Sequence, residues 1–180
     1  TLTPAQIQNY NKKGFVFPLD VFTREEAEAN SAYFDDIIEK ALNLGYSSYN
    51  VQRWHIHCRG IYDIITANRL LDYVQDILGE NLIIRGSHRF CKLPGDEKQV
   101  AWHQDASYWP ISPSKIVTAW LAIDDVDEEN GAMQIIPGSH LHGQIPFDRS
   151  TAEEKNVLGQ TVHNAQNFGE APVSLNLKAG

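Results

Sequence analysis

Near residue 82 the spacing of apolar residues changes from a helical repeat to an alternation of two. That switch restricts the chain to helices first and strands afterwards. Upstream, local start and stop signals define three helices. Thr3-Pro4 supplies a cap and a first-turn proline for a helix closed by Gly14. Thr23 and Glu26 form a capping box that opens a longer helix reaching about Leu44. Leu70, Leu71, Val74, Ile77 and Leu78 recur at helical spacing from about Asn68 until Gly79. Phe15-Val16-Phe17 reads as a short strand between the first two helices. Downstream, strands are expected at 82–92, 100–103, 115–123 and 132–136, separated by Pro, Gly and acidic turns. This order predicts an α+β fold, with a jelly-roll-like barrel carrying a site in its mouth. A length of 180 residues suits one domain, helical over about 1–80 and barrel over about 81–180.

Composition removes several classes of function. With 42% hydrophobic and 21% charged residues the chain is expected to fold rather than stay disordered. The net charge is -8, from 23 acidic and 15 basic residues, and the Lys and Arg are scattered. Nucleic acid is not expected as a partner, because binding phosphate takes a gathered basic footprint. No run approaches the roughly 20 apolar residues of a membrane span, and the N-terminus has no signal-peptide core. Cys58 and Cys91 form no CxxC pair, which suits reduced thiols and a cytoplasmic setting. The chain begins at Thr1 rather than Met, so processing or trimming is expected. The acidic run Asp124, Asp125, Asp127, Glu128, Glu129 before Asn130-Gly131 reads as a solvated hairpin turn rather than a cation site.

The chemistry centres on Trp102-His103-Gln104-Asp105. An imidazole and a carboxylate two residues apart on an extended strand face the same way, so both can reach one metal. Such a pair is part of the 2-His-1-carboxylate facial triad, which leaves three positions on Fe(II) open for a cosubstrate and dioxygen. Alone, His-x-Asp is common and usually marks a hydrogen-bonded surface histidine. Here it is followed by Tyr108-Trp109-Pro110, by Val117-Thr118-Ala119-Trp120-Leu121, and by Glu129-Asn130-Gly131 leading to Pro137-Gly138-Ser139-His140. With Leu2-Thr3-Pro4, Gly14-Phe15-Val16, Asp76-Ile77-Leu78-Gly79 and Lys92-Leu93-Pro94-Gly95, this pattern resembles the phytanoyl-CoA dioxygenase (PhyH) family of Fe(II)- and 2-oxoglutarate-dependent oxygenases. The resemblance is strongest to the bacterial branch related to the non-haem iron halogenases.

That resemblance implies a double-stranded β-helix of the jelly-roll, cupin-like kind with N-terminal helices packed on it. It implies Fe(II) and 2-oxoglutarate as cofactors, with His103 and Asp105 as the first two iron ligands. The carboxylate at 105 points to a hydroxylase, since halogenating relatives carry a small residue there. Thr118 and Trp120 match positions lining the 2-oxoglutarate pocket, although a strand-forming residue and a core aromatic explain them as well. Arg53 and His55 fall where relatives place a Lys and a His near the cosubstrate, and Arg departs from that pattern. Tyr108 and Trp109 are expected at the mouth as aromatic faces for an apolar substrate, or as core packing. His140 reads as structural, and His57, His88, His142 and His163 as exposed or hydrogen-bonded. In relatives a strand like 173–180 leads to a distal His ligand and to an Arg that grips 2-oxoglutarate. The chain stops at Gly180, so a truncated form lacking that ligand and the last strands is expected. Exposed strand edges would then favour a homo-oligomer. The function expected is oxidation of a C–H bond in a small molecule by dioxygen, with 2-oxoglutarate converted to succinate and carbon dioxide. An inactive fragment or binding module of the same fold is the alternative. A zinc hydrolase using His103, Asp105 and another His is weaker, because no HExxH spacing is present.

Overall fold

Two reciprocal capping boxes organise the N-terminal half of the computed structural model, which describes residues 1–49, 51–109 and 111–180. Pro110, the end of the Tyr108-Trp109-Pro110 motif, lies outside the described residues. At the first box Thr3 Oγ1 accepts from the Gln6 N–H at 3.2 Å while Gln6 Oε1 accepts from the Thr3 N–H at 2.9 Å. Helix α1 (Pro4–Lys13) follows, and its cap Gly14 takes φ 88, a left-handed turn that glycine adopts without penalty. Thr23 and Glu26 repeat the arrangement at 3.3 and 2.7 Å and start α2 (Arg24–Asn43). Helix α4 (Asn68–Leu78) has the bounds its periodicity predicts and ends at Gly79.

Helix α2 is the spine of the first core. Its Phe34, Ile37, Ile38 and Ala41 pack with Val51 of β1 (Val51–Gln52) and with Ile61 and Ile64 of α3 (Arg59–Ile65). Burying each large side chain contributes about 1.5–3 kcal/mol. Leu121 and Ile123 lie against the flank of this cluster. The sequence signals did not reveal α3: Gly60 in its first turn and three isoleucines argue against a helix locally. Packing overrides them. A Cβ at Gly60 would stand 2.5 Å from the Tyr33 ring, so the glycine is what lets α3 approach α2. A second core gathers Ile136, Ile145, Val162 and Ala165, with Trp102, Phe147 and Phe168 against it.

The strand half is more broken than its alternation implies. Strand pairs form at β1 with β2 (His88–Arg89), at β3 (Gln134–Ile135) with β6 (Val173–Ser174), and at β4 (Asp148–Arg149) with β5 (Gln160–Thr161), all antiparallel. The expected strand 82–92 is a ladder only at His88–Arg89, and 132–136 only at Gln134–Ile135. Segments 15–17, 100–103 and 115–123 belong to no ladder, and no closed double-stranded β-helix is assembled among the described residues. Alternation reports which side chains a segment buries, whereas a strand exists only where a partner chain takes its N–H and C=O groups. Isolated backbone bonds extend the pairing. Residues 173–180 run along 122–135 through Leu175 N–H to Met133 O, the mutual Val126 and Leu177 pair, and Gly180 N–H to Ala122 O, each 2.9–3.0 Å. The acidic segment is a turn, wider than the expected two-residue hairpin. Asp127 Oδ1 accepts from the Glu129 and Asn130 N–H groups, and its carbonyl accepts from Ala132 N–H at 2.7 Å. Among the described residues no helix is long and apolar enough to cross a membrane.

Candidate metal centre

Trp102 and Gln104 anchor the central tetrapeptide from one side. Trp102 packs on the second core and its carbonyl accepts from Val162 N–H at 2.8 Å. Gln104 is extended (φ -113, ψ 124) and its amide is clamped at both ends. Its Nε2 donates to Gly143 O at 2.9 Å, and its Oε1 accepts from Ile145 N–H at 2.8 Å. Neighbours of an extended residue project to the opposite side, so His103 and Asp105 face away from that clamp together. No strand ladder holds them there. Asp105 instead opens a 3-10 turn over Asp105–Tyr108, with Ser107 N–H donating to Gln104 O at 3.1 Å.

His103 Nε2 and Asp105 Oδ1 stand 3.1 Å apart. Behind the ring, Nδ1 meets the Ala101 carbonyl at 2.8 Å. A carbonyl only accepts, so the proton is on Nδ1 and Nε2 is the atom presented to the carboxylate. On its far side Asp105 Oδ2 accepts from the Thr118 hydroxyl at 2.6 Å. Burial disfavours the His103 cation, yet hydrogen bonds to Asp105 and Ala101 outweigh it and hold the imidazole above its ordinary range. The His103 hydrogen bond, joined by that from Thr118, holds the Asp105 carboxyl below the usual carboxylate range against the effect of burial. Two donors each about 2.1 Å from one ion and at right angles are about 3.0 Å apart, so the 3.1 Å between Nε2 and Oδ1 matches two neighbouring ligands of a first-row metal. The Ala101 carbonyl and Thr118 hydroxyl are the outer partners that orient such ligands. With side chains 23% and 41% exposed, the pair also opens to solvent.

Tyr108 sets its ring edge-on to His103, centroids 6.2 Å apart, and its hydroxyl is buried without a hydrogen-bond partner among the described residues. Burial pushes its phenol upward. Trp109 lies under the Arg85 guanidinium, 5.1 Å from ring centroid to Cζ. Trp120, on the segment that carries Thr118, is exposed. Arg53 and His55 are held by Ser87: Arg53 N–H donates to Ser87 O at 2.7 Å, and His55 Nδ1 lies 2.7 Å from Ser87 Oγ. Neither shares a hydrogen bond or ion pair with His103 or Asp105 among the described residues. His140 Nε2 lies 3.1 Å from Asn11 O, and His163 faces Asp148 at 3.6 Å. Among the described residues no three His, Cys, Asp or Glu side chains converge on one point. Gln104 and Ala101 escaped the sequence analysis. Their position beside His103 was the available signal, but their partners were not readable.

Comparison with known proteins matches residues 10–180 to the model of a family described as phytanoyl-CoA dioxygenase (PhyH). The chain is 31% identical over 123 residues to a Stutzerimonas stutzeri protein named "Probable alpha-ketoglutarate-dependent hypophosphite dioxygenase", covering 67% of this chain and 41% of that protein. It is 32% identical over 92 residues to the peroxisomal phytanoyl-CoA dioxygenase of Bos taurus, covering 49% of this chain and 27% of the relative. An ectoine dioxygenase of Bordetella bronchiseptica aligns over 201 positions at 25% identity, covering 99% of this chain and 61% of its own length. The chain therefore spans between about a quarter and three-fifths of the curated relatives it matches.

Proposed function

We propose, from the premise that this chain belongs to the phytanoyl-CoA dioxygenase family, that it is the metal-binding part of an oxygenase hydroxylating a C–H bond of a small organic substrate. The family's cofactors are Fe(II) and 2-oxoglutarate. One observation carries the proposal. His103 Nε2 and Asp105 Oδ1 converge at 3.1 Å, the spacing of neighbouring ligands on one ion, and each is braced from behind.

In this assignment His103 and Asp105 hold Fe(II), which with 2-oxoglutarate supplies oxidation of the substrate by dioxygen as the cosubstrate becomes succinate and carbon dioxide. The chain's own contribution is positioning. Ala101 fixes the imidazole tautomer, Gln104 keeps the two ligands on one side, and Tyr108 walls the ring. Trp120 and Trp109 offer aromatic faces for substrate or cosubstrate, and Arg53 and His55 supply donors for a carboxylate. An aspartate at 105 supports hydroxylation over halogenation, because the carboxylate fills the position a halide would need.

Anaerobic titration with Fe(II) and 2-oxoglutarate tests this. A saturable visible charge-transfer band, lost in His103→Ala and Asp105→Ala, is the expected result. A flat absorbance at saturating Fe(II) and 2-oxoglutarate would refute chelation by this chain and leave a metal-free binding module of the same family.

A further inference from the structure

We infer that Thr118 is a positioning residue that keeps Asp105 a one-oxygen ligand. This rests on the metal assignment above. The two carboxylate oxygens of Asp105 have separate tasks: Oδ1 faces His103 Nε2 at 3.1 Å, and Oδ2 is held by the Thr118 hydroxyl at 2.6 Å. For both oxygens to bind one ion, Oδ2 must swing toward the metal and release that hydroxyl. The count of open positions makes this matter. With His103 and Asp105 each binding through one atom, an octahedral ion keeps four positions for other ligands. A carboxylate gripping through both oxygens leaves three, one fewer for cosubstrate, dioxygen or water.

The restraint is tertiary in origin. Asp105 is placed from the second core, through Trp102 and the Gln104 clamp. Thr118 belongs to the segment whose Leu121 and Ile123 lie on the first core and whose Ala122 carbonyl accepts from Gly180 N–H. The bond from Thr118 to Asp105 thus ties the two cores together at the site. Threonine suits the task because branching at Cβ stiffens the torsion that aims its hydroxyl. Thr118 is itself exposed, so removing the hydroxyl costs the fold little.

Mn(II) alone is the probe. Its affinity is read by electron paramagnetic resonance, and its bound waters are counted by water-proton relaxation. Thr118→Val is expected to bind Mn(II) about 10-fold more weakly, the range for losing an outer partner of a ligand, and with one fewer bound water. Thr118→Ser should restore both. Thr118→Ala gives the same comparison should the valine variant lose its circular dichroism spectrum. A valine variant with wild-type affinity and water count overturns the inference, and so does weaker binding with an unchanged water count. Wild-type protein that fails to bind Mn(II) saturably is a different failure, since it removes the metal assignment and the inference with it.

Discussion

Replacing Gln104 with Ala should destabilise the protein and loosen the His103–Asp105 pair together. The side chain satisfies two backbone groups 39 and 41 residues away, the Gly143 carbonyl and the Ile145 N–H. Their fates differ. Gly143 is exposed, so water replaces the lost donor at a net cost of about 0.5 kcal/mol. Ile145 is only 4% exposed, and its orphaned N–H carries a desolvation penalty of about 1–3 kcal/mol. The sum, about 1.5–3.5 kcal/mol, corresponds to a Tm lower by about 3–14 °C for a chain of this size. Gln104→Glu separates the contributions. It keeps an acceptor for Ile145 N–H but sets a second carboxylate oxygen against the Gly143 carbonyl, so it should fall between wild type and Ala. Urea unfolding of the three proteins gives the energies, and Mn(II) titration gives the effect on the site, a loss of about 10-fold for Ala. A Gln104→Ala change of less than about 0.5 kcal/mol, the range of an ordinary surface substitution, would refute the assignment of Gln104 as the anchor of His103 and Asp105.

Three further outcomes follow from local geometry. Gly169→Ala would bring a Cβ within 2.4 Å of Pro137 O and 2.7 Å of Ile136 Cγ2, and should cost about 1–3 kcal/mol in denaturant unfolding although the backbone there is extended. Phe34→Ala removes a 6% exposed side chain from the first core and should cost about 3–5 kcal/mol, checked by calorimetry. Tyr49 is 5% exposed, and burial with Asp96 nearby raises its phenol from 10.0 to about 12. Its neutral form is favoured by the fold, so the associated stability is complete below pH 10 and is lost as the pH rises toward 12. Ultraviolet titration of the folded protein should show one fewer late-titrating phenol in Tyr49→Phe than in wild type, and the variant's stability should fall less steeply over the same pH interval.

The parts legible in the sequence are those whose causes lie within a few residues. Thr3 with Gln6 and Thr23 with Glu26 cap their helices over a span of three, and the apolar spacing of Asn68–Leu78 marks α4 from end to end. His103 and Asp105 stood out for the same reason, because alternation about one extended residue sets two side chains on one side wherever the peptide lies. What packing decided could not be read locally. Helix α3 forms against its own propensities, since Ile61 and Ile64 are buried beside α2 and Gly60 clears the Tyr33 ring. The alternating segment 115–123 forms no ladder, because alternation does not name the partner that would complete one. Thr118 stood out only by resemblance, while its hydrogen bond to Asp105, 13 residues away in the chain, depends on the two cores meeting. The sequence alone determined the helix caps, the helical repeat and the facing of His103 and Asp105, since those forces act between near neighbours. Tertiary structure decided how that pair is braced, because Gln104 and Thr118 find their partners only after distant segments have packed.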